Sequence, residues 1–390
     1  MTKKVRMSLY VLSLVLTTAV LILLIFNEKI IKTSGTENQV VQEQTQSEVT
    51  EQPTETETEI NPEDTQKEIE TQTEEQSESE PTTLLFSGDI YMTDKLVARY
   101  GTEGISAYMS DEILSEMTDV DIFMANHEFP FSTRGTPMEG KKYTFRTNPE
   151  NVQILKDMGV DIVTLANNHT LDFGTVALQD TFQTLDGAEI LYAGAGDTKE
   201  RAEALQIIEV NGQKFGFLAA TRVIPVTNWN VEYRQPGLFT TYDDTRLVEC
   251  IKVAKEECDF LTVYVHWGVE RVAYPEEYQK VMARHFVEAG ADLIIGSHPH
   301  VLQGIEFIEE KPVFYSLGNY AFYQALEKTA LVKVTVWPDG EVEYDLVPVS
   351  VVQGKNELLQ GEKASAIYTY MNEISIKDYV DETGKIRDVE

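Results

Sequence analysis

The chain has 390 residues, enough for two or three average domains, and a formal charge of −33 from 65 acidic and 32 basic residues. So large an acidic excess excludes non-specific binding to nucleic acid. An anionic substrate would have to meet positive charge supplied locally, as bound metal ions would do.

The N-terminus reads Lys3, Lys4 and Arg6, then an uncharged run from Met7 to Phe26. Twenty helical residues span about 30 Å, the thickness of a bilayer's hydrocarbon core. Basic residues ahead of the run place residues 1–6 in the cytoplasm and make residues 7–26 a transmembrane anchor, with the remainder extracellular. A cleaved signal peptide is the alternative. However, the run is longer than a typical signal core, and Asn27-Glu28-Lys29-Ile30-Ile31-Lys32 offers no small-x-small cleavage site. No cysteine follows the span to carry a lipid.

Residues 27–82 are predicted to be a disordered acidic linker. From Thr33 to Thr83 there are 15 acidic residues and one Lys, Lys67, with almost nothing large and apolar. Such a segment cannot bury enough surface to offset its chain entropy. A coil of about 50 residues spans roughly 40 Å and more when self-repelling, which suits a tether between membrane and domain. A polyanion mimic for a basic partner is the alternative. The first 32 residues hold five basic and one acidic residue, so the part from Leu84 onward still carries −23.

From there, strand patterns alternate with helical ones. Strands are expected at 84–87, 122–125, 162–166, 261–265 and 293–295, and helices at 105–117, 149–158, 176–185, 247–257 and 276–288. This alternation predicts parallel pairing with helices on the sheet faces. Residues 204–210 with 214–220, and 330–337 with 341–349, read as hairpins turning at Asn211-Gly212 and Asp339-Gly340. The folded domain is expected over 83–352, with a polar C-terminal segment, 353–390, holding a surface helix near 364–373. Cys250 and Cys258 share one helical stretch about 12 Å apart, beyond disulfide reach.

Five of the apolar runs end in metal-type ligands. They close on Gly88-Asp89, Asn126-His127-Glu128, Asn167-Asn168-His169, His266-Trp267-Gly268 and His298-Pro299-His300. In an open α/β sheet the carboxyl ends of strands form the ligand crevice, so these runs would build one polar site. Each motif alone has a plainer explanation. Gly-Asp makes turns, Asn168 could cap the helix near Gly174, and His266 could pack in an aromatic corner. His298 and His300, two apart in an extended segment, would point the same way and chelate. Four of six histidines stand at these ends; His127 lies inside a motif, and only His285, on a helix, looks incidental.

These residues resemble the capsule synthesis protein CapA family. The resemblance rests on Gly88-Asp89, the Asn-x-Glu of Asn126 and Glu128, and Ala166-Asn167-Asn168-His169 with Asp172 and Gly174. It rests also on His266-Trp267-Gly268 with Glu270, His298-Pro299-His300 with Val301-Leu302-Gln303, and Ser316-Leu317-Gly318-Asn319. It covers about residues 84–349 in the family's motif order. It implies a metallo-dependent phosphatase-like layered α/β sandwich with mixed sheets. It also implies a part in making or exporting poly-γ-glutamate alongside other membrane subunits of a synthase or export complex. By the same resemblance Asp89 would bind one metal, Glu128 would bridge, and Asn168 would bind a second. Asn126, His266, His298 and His300 would complete the shells, and His169 would act on a leaving group or hold substrate. Oxygen and imidazole ligands together favour one or two ions of Mn, Fe or Zn.

The pattern departs from the two-metal phosphoesterases at Tyr91, where their Asp-x-His motif has its His, and at Glu128, where they carry Asp. His127 is open between ligand and packed core residue. Asp172 would orient His169 or cap a loop. Arg146 would clamp a carboxylate or phosphate or form a salt bridge. Glu270 would serve as acid or base. Ser316 and Asn319 would shape the floor, with Asn319 near the substrate. Beside the polymer-handling function stand two others, a hydrolase cutting an amide or phosphoester with metal-bound hydroxide, and a structural surface protein with a vestigial site. No Gly-x-x-x-x-Gly-Lys-Ser/Thr loop occurs, so any ATP-dependent ligation belongs to a partner.

Overall fold

The structure, a computed structural model, describes residues 80–322, 326–377 and 379–389. The anchor read at 7–26 and nearly all of the linker lie outside the described residues. Among the described residues no helix is long and apolar enough to cross a membrane.

Strand β1 (Thr82–Ile90) leads through helices α1 (Asp94–Glu103) and α2 (Asp111–Thr118) to β2 (Ile122–His127). Helix α3 (Val152–Asp157) leads to β3 (Ile162–Thr164), and α4 (Thr175–Ala188) to β4 (Leu191–Ala193). After β5 (Ala195–Gly196) and α5 (Lys199–Ala202) come the hairpin β6 (Gln206–Val210) and β7 (Gln213–Thr221), then β8 (Gly237–Leu238). Next are α6 (Thr245–Lys255), β9 (Phe260–His266), α7 (Glu277–Ala289) and β10 (Leu293–Ser297). The hairpin β11 (Leu302–Ile308) and β12 (Lys311–Leu317) precedes β13 (Asn319–Ala321) and the hairpin β14 (Leu326–Val336) and β15 (Val342–Val352). The chain closes with β16 (Lys355–Leu358), α8 (Glu362–Ile374) and β17 (Lys385–Ile386).

These strands form two mixed sheets and a small β5–β8 ribbon. The first runs β16-β15-β14-β1-β2-β3-β4, with β13 on β1 and β17 on β15; the second runs β11-β12-β10-β9-β7-β6. In the first, β1 to β4 are parallel; in the second, β7, β9, β10 and β12 are. The expected parallel core and both hairpins are therefore present.

Alternation along each strand sorts side chains between layers. Leu84 and Phe86 of β1 meet Phe217, Tyr264 and Ile295 of the second sheet in a core between the sheets. Leu85, Phe123 and Val163 point the other way, against Leu96, Ile113, Leu155 and Leu178 of the helices over the first sheet. Leu218, Val263 and Ile294 likewise pack on Leu247, Ile251 and Phe286 of α6 and α7. The result is helices, sheet, sheet, helices. Strands covered on both faces must be apolar at every position, which is why they read as continuous hydrophobic runs.

Two sequence expectations need correction. The single helix expected at 105–117 is divided. Gly104 (φ 65°) ends α1, a short 3₁₀ turn covers Gly104–Ala107, and Ser110 starts α2 by accepting a hydrogen bond from the Ile113 N–H. The C-terminal helix does form, as α8, but Ile367, Met371 and Ile374 are buried in the inter-sheet core, followed by Tyr379, Val380 and Ile386. Cys250 and Cys258 are both free thiols.

Candidate metal centre

The carboxyl ends of parallel strands in both sheets lie at one end of the sandwich, and the predicted ligands collect there. At β1 the register with β2 slips between Phe86 and Asp89, a bulge that re-aims the carboxylate. Gly88 permits it, because a Cβ there would lie 1.8 Å from the Gly318 carbonyl oxygen. The Asp89 N–H donates to that same oxygen at 2.9 Å.

Alternation along β2 turns Asn126 and Glu128 to the site and His127 away from it. The His127 ring packs 3.9 Å from Phe129 and 4.7 Å from Phe131, and neither nitrogen has a hydrogen-bond partner. Burial drives its pKa down to about 3. His127 is thus a core residue, not a ligand.

The second sheet brings the imidazoles. His266 ends β9, with Nε2 3.0 Å from Asn168 Oδ1 and 3.8 Å from Glu128 Oε1. Its Nδ1 meets Ser297 Oγ at 3.0 Å, a partner that sequence reading missed. His298 and His300 converge by another route than expected. The segment is not extended, since both residues have positive φ, 100° and 58°, in a tight turn after β10. Such backbone is costly for side-chain-bearing residues and is held only where the surroundings fix it. Here the His298 N–H reaches Asp89 Oδ2 at 3.4 Å, while Ser316 Oγ donates to the Val301 carbonyl at 2.8 Å and pins the exit of the turn. His300 Nδ1 lies 3.1 Å from Asp89 Oδ2 and 2.7 Å from Asn319 Oδ1, leaving Nε2 to face Glu128 Oε1 at 4.0 Å.

Two overlapping groups result, Glu128 with His298 and His300, and Asp89 with Glu128 and His266; within each, ligand atoms lie within 4.8 Å of one another. Glu128 belongs to both. Both of its buried oxygens lack any hydrogen bond, as does buried His298 Nδ1. An orphaned carboxylate inside a protein is expensive unless a cation meets it. Burial first, and the nearby Asp89 charge second, hold the Glu128 carboxyl well above the usual carboxylate range. Burial depresses the His300 imidazole, but the Glu128 and Asp89 charges and its hydrogen bonds overcome this and lift it to about 10. His298 is depressed to about 4 by burial and by His300, and burial holds His266 far below its ordinary value. The protein alone thus draws one proton onto His300 to balance two carboxylates. A divalent cation there would do the same and satisfy the orphaned atoms, so the residues fit a metal.

The amide-bearing residues divide by role. Asn168 places Oδ1 beside His266 and is not a helix cap; α4 starts from Gly174 without a side-chain cap. Asn126, expected as a ligand, spends its amide on its neighbours. Nδ2 donates to Asp89 Oδ1 at 2.6 Å, and Oδ1 accepts from Asn167 Nδ2 at 3.0 Å. It braces the carboxylate. Asn167 also reaches the His127 carbonyl and accepts from the His169 N–H, tying the loops after β2 and β3 together.

Beside the ligands, His169 Nδ1 faces Asp172 Oδ2 at 2.6 Å, so Asp172 does orient the ring. Lys141, which sequence reading missed, binds Asp172 Oδ1 and the Asn168 carbonyl and lies 3.1 Å from His169 Nδ1. Burial lowers its pKa against the pull of Asp172. A lone lysine in a loop carried no signal. Tyr91 stacks on Phe145 (4.0 Å), which stacks on His169 (3.9 Å), so the residue standing where phosphoesterases have histidine forms a wall. Arg146 lies over Phe173 at 4.1 Å and donates to the Arg134 carbonyl, outside the ligand cluster. Glu270 is exposed on the loop after β9, where its charge acts on Lys141. His285 is on α7 against Asp244, away from the cluster.

Fold and cluster together define a layered α/β protein with a buried set of metal-type ligands at the strand ends. The profile of the family described as "Bacterial capsule synthesis protein PGA_cap" matches residues 83–324, and the chain belongs to that family. Bacillus anthracis "Capsule biosynthesis protein CapA" is 30% identical over 289 residues, 71% of this chain and 69% of that protein. Bacillus subtilis (strain 168) "PGA biosynthesis protein CapA" is 30% identical over 274 residues, 68% and 70% of the two chains. The resemblance to the CapA family drawn from the motifs is therefore real. Among solved structures, a hypothetical protein from Thermus thermophilus aligns at 15% identity over 68% of this chain and 99% of that one, with a TM-score of 0.42, too low to carry a structural argument.

Proposed function

We propose that this protein is a membrane-anchored, extracellular component of poly-γ-glutamate capsule synthesis and export, working beside other membrane subunits. Its strand-end cluster holds one or two divalent ions, of Mn, Fe or Zn, and handles the anionic polymer. Family membership and the Bacillus relatives support the pathway. The observation that carries the metal is Glu128, a buried carboxylate without a hydrogen bond, shared by two ligand groups. When bound, the metal supplies positive charge inside a strongly acidic domain. The chain's own residues then position the substrate. Lys141 presents a second, buried charge, and Asp172 fixes the His169 tautomer so that Nε2 carries the lone pair.

Elemental analysis of the full chain, purified in detergent without chelator, tests this directly. One or two equivalents of a transition metal are expected. No metal, even after soaking with Mn, Fe and Zn, would remove the metal centre and leave a polymer-handling scaffold.

The His169–Asp172 pair favours a second reading, a metal-dependent hydrolase of an amide or phosphoester bond. In it His169 Nε2 takes or gives a proton at the scissile group. Assays on γ-glutamyl amides and on phosphoesters with the metal-loaded protein separate the two readings.

A further inference from the structure

Over much of the described chain, basic side chains rest on carboxylates. Lys255 and Lys311 meet Asp292, Arg246 meets Glu203, and Lys385 meets Glu343 and Asp345. The loops at the ligand end behave differently. Arg222, the first residue after β7, has its guanidinium 4.1 Å from the Tyr242 ring and 5.2 Å from the Tyr278 ring. Its N–H donates to the His266 carbonyl at 2.8 Å, which seats it beside the strand end that carries a ligand. Lys142 lies over Tyr143 at 4.8 Å and directly follows Lys141 of the site. Arg146 lies over Phe173 and directly follows Phe145, the ring stacked on His169. Among the described residues none of these three cations forms an ion pair.

A cation held on an aromatic face is positioned while most of its N–H donors stay available. Lys142 and Arg146 belong to the loop after β2, in the first sheet, and Arg222 to the end of β7, in the second. Their separation across two sheets suits a ligand with several negative charges in a row better than one small anion. In a part of the chain carrying −23, such a grouping has a specific electrostatic consequence, local attraction against general repulsion.

We propose that Lys142, Arg146 and Arg222 form a track for a linear polycarboxylate crossing the mouth of the metal-ligand cluster. The arginine forks take carboxylates in pairs of hydrogen bonds, and Lys142 acts as a point charge. Tyr143 and Tyr242, 60% and 51% exposed, line the track with apolar surface for the methylene groups between charges. This inference rests on the reading that the site handles an acidic polymer.

The test measures binding of a labelled γ-linked glutamate decamer and of free glutamate to the full chain in detergent, alongside metal content. Arg222→Gln should weaken decamer binding roughly three- to tenfold, and Lys142→Gln with Arg222→Gln further still, with a shallower salt dependence. Free glutamate binding and metal content should not change, and Arg222→Lys should recover part of the loss. Variants that bind the decamer as tightly as the parent would overturn the track while leaving the polymer reading intact. Loss of metal in Arg222→Gln would also overturn it, by showing that Arg222 only supports the His266 strand. A parent chain that does not bind the decamer would sink the polymer reading itself.

Discussion

The two sheets contribute different chemistry to one site. The first supplies oxygen, from Asp89, Glu128 and Asn168, with Asn126 and Asn167 bracing them; the second supplies nitrogen, from His266, His298 and His300. Neither set alone makes a complete shell. The centre exists only while the inter-sheet core of Phe86, Phe217, Tyr264 and Ile295 holds the sheets in register. Metal binding and packing between the sheets are therefore linked, and an ion bound only by the folded state stabilises it.

The largest effect should come from the group both ligand sets share. Glu128→Gln should abolish metal retention in elemental analysis. The metal-free variant should melt no lower than the metal-free parent, because the substitution removes a buried charge beside Asp89. Metal retained at parental stoichiometry would mean that Glu128 is not a ligand. Asn126→Ala tests the bracing role and should act more mildly. A lost support of this kind costs about 10–100-fold in metal affinity without eliminating binding, measurable by competition with a chelator of known strength. An effect as complete as that of Glu128→Gln would return Asn126 to the ligand set.

His127 gives the smallest effect and concerns the first sheet alone. Its pKa is about 3 in the fold, so the ring is neutral there, whereas the unfolded chain takes up a proton below about 6.5. The stability is present above that pH and is lost as pH falls from 6.5 toward 3, at up to about 1.4 kcal/mol per unit. His127→Phe should flatten this acid limb in urea titrations run with chelator at pH 7 and pH 5. An unchanged slope would assign the acid sensitivity to other groups.

Much of this was legible because strands buried on both faces read as unbroken apolar runs that stop abruptly at polar ligands. What escaped did so for physical reasons. The β11–β12 hairpin turns at Glu309-Glu310, both with positive φ (49° and 67°), where Asn or Gly would be expected, and Pro312 inside β12 argues against a strand. The separation into two sheets is a tertiary fact that periodicity does not encode. Lys141 and Arg222 act from loops, where position depends on the fold and not on local pattern. The turn of His298 and His300 misled because alternating residues converge in a strand, whereas here left-handed backbone brings them together.

The bulge at Gly88 has a consequence for the order in which the centre is made. Asp89 lies in the first described strand, while His298, His300 and Asn319 follow most of the folded chain. Synthesis proceeds from the N-terminus, so the carboxylates emerge long before the imidazoles that complete their shell. Gly88 can fit only against Gly318, the residue just before Asn319. The contact that fixes Asp89 therefore forms at the close of assembly, and metal loading is timed to a finished domain instead of a growing one.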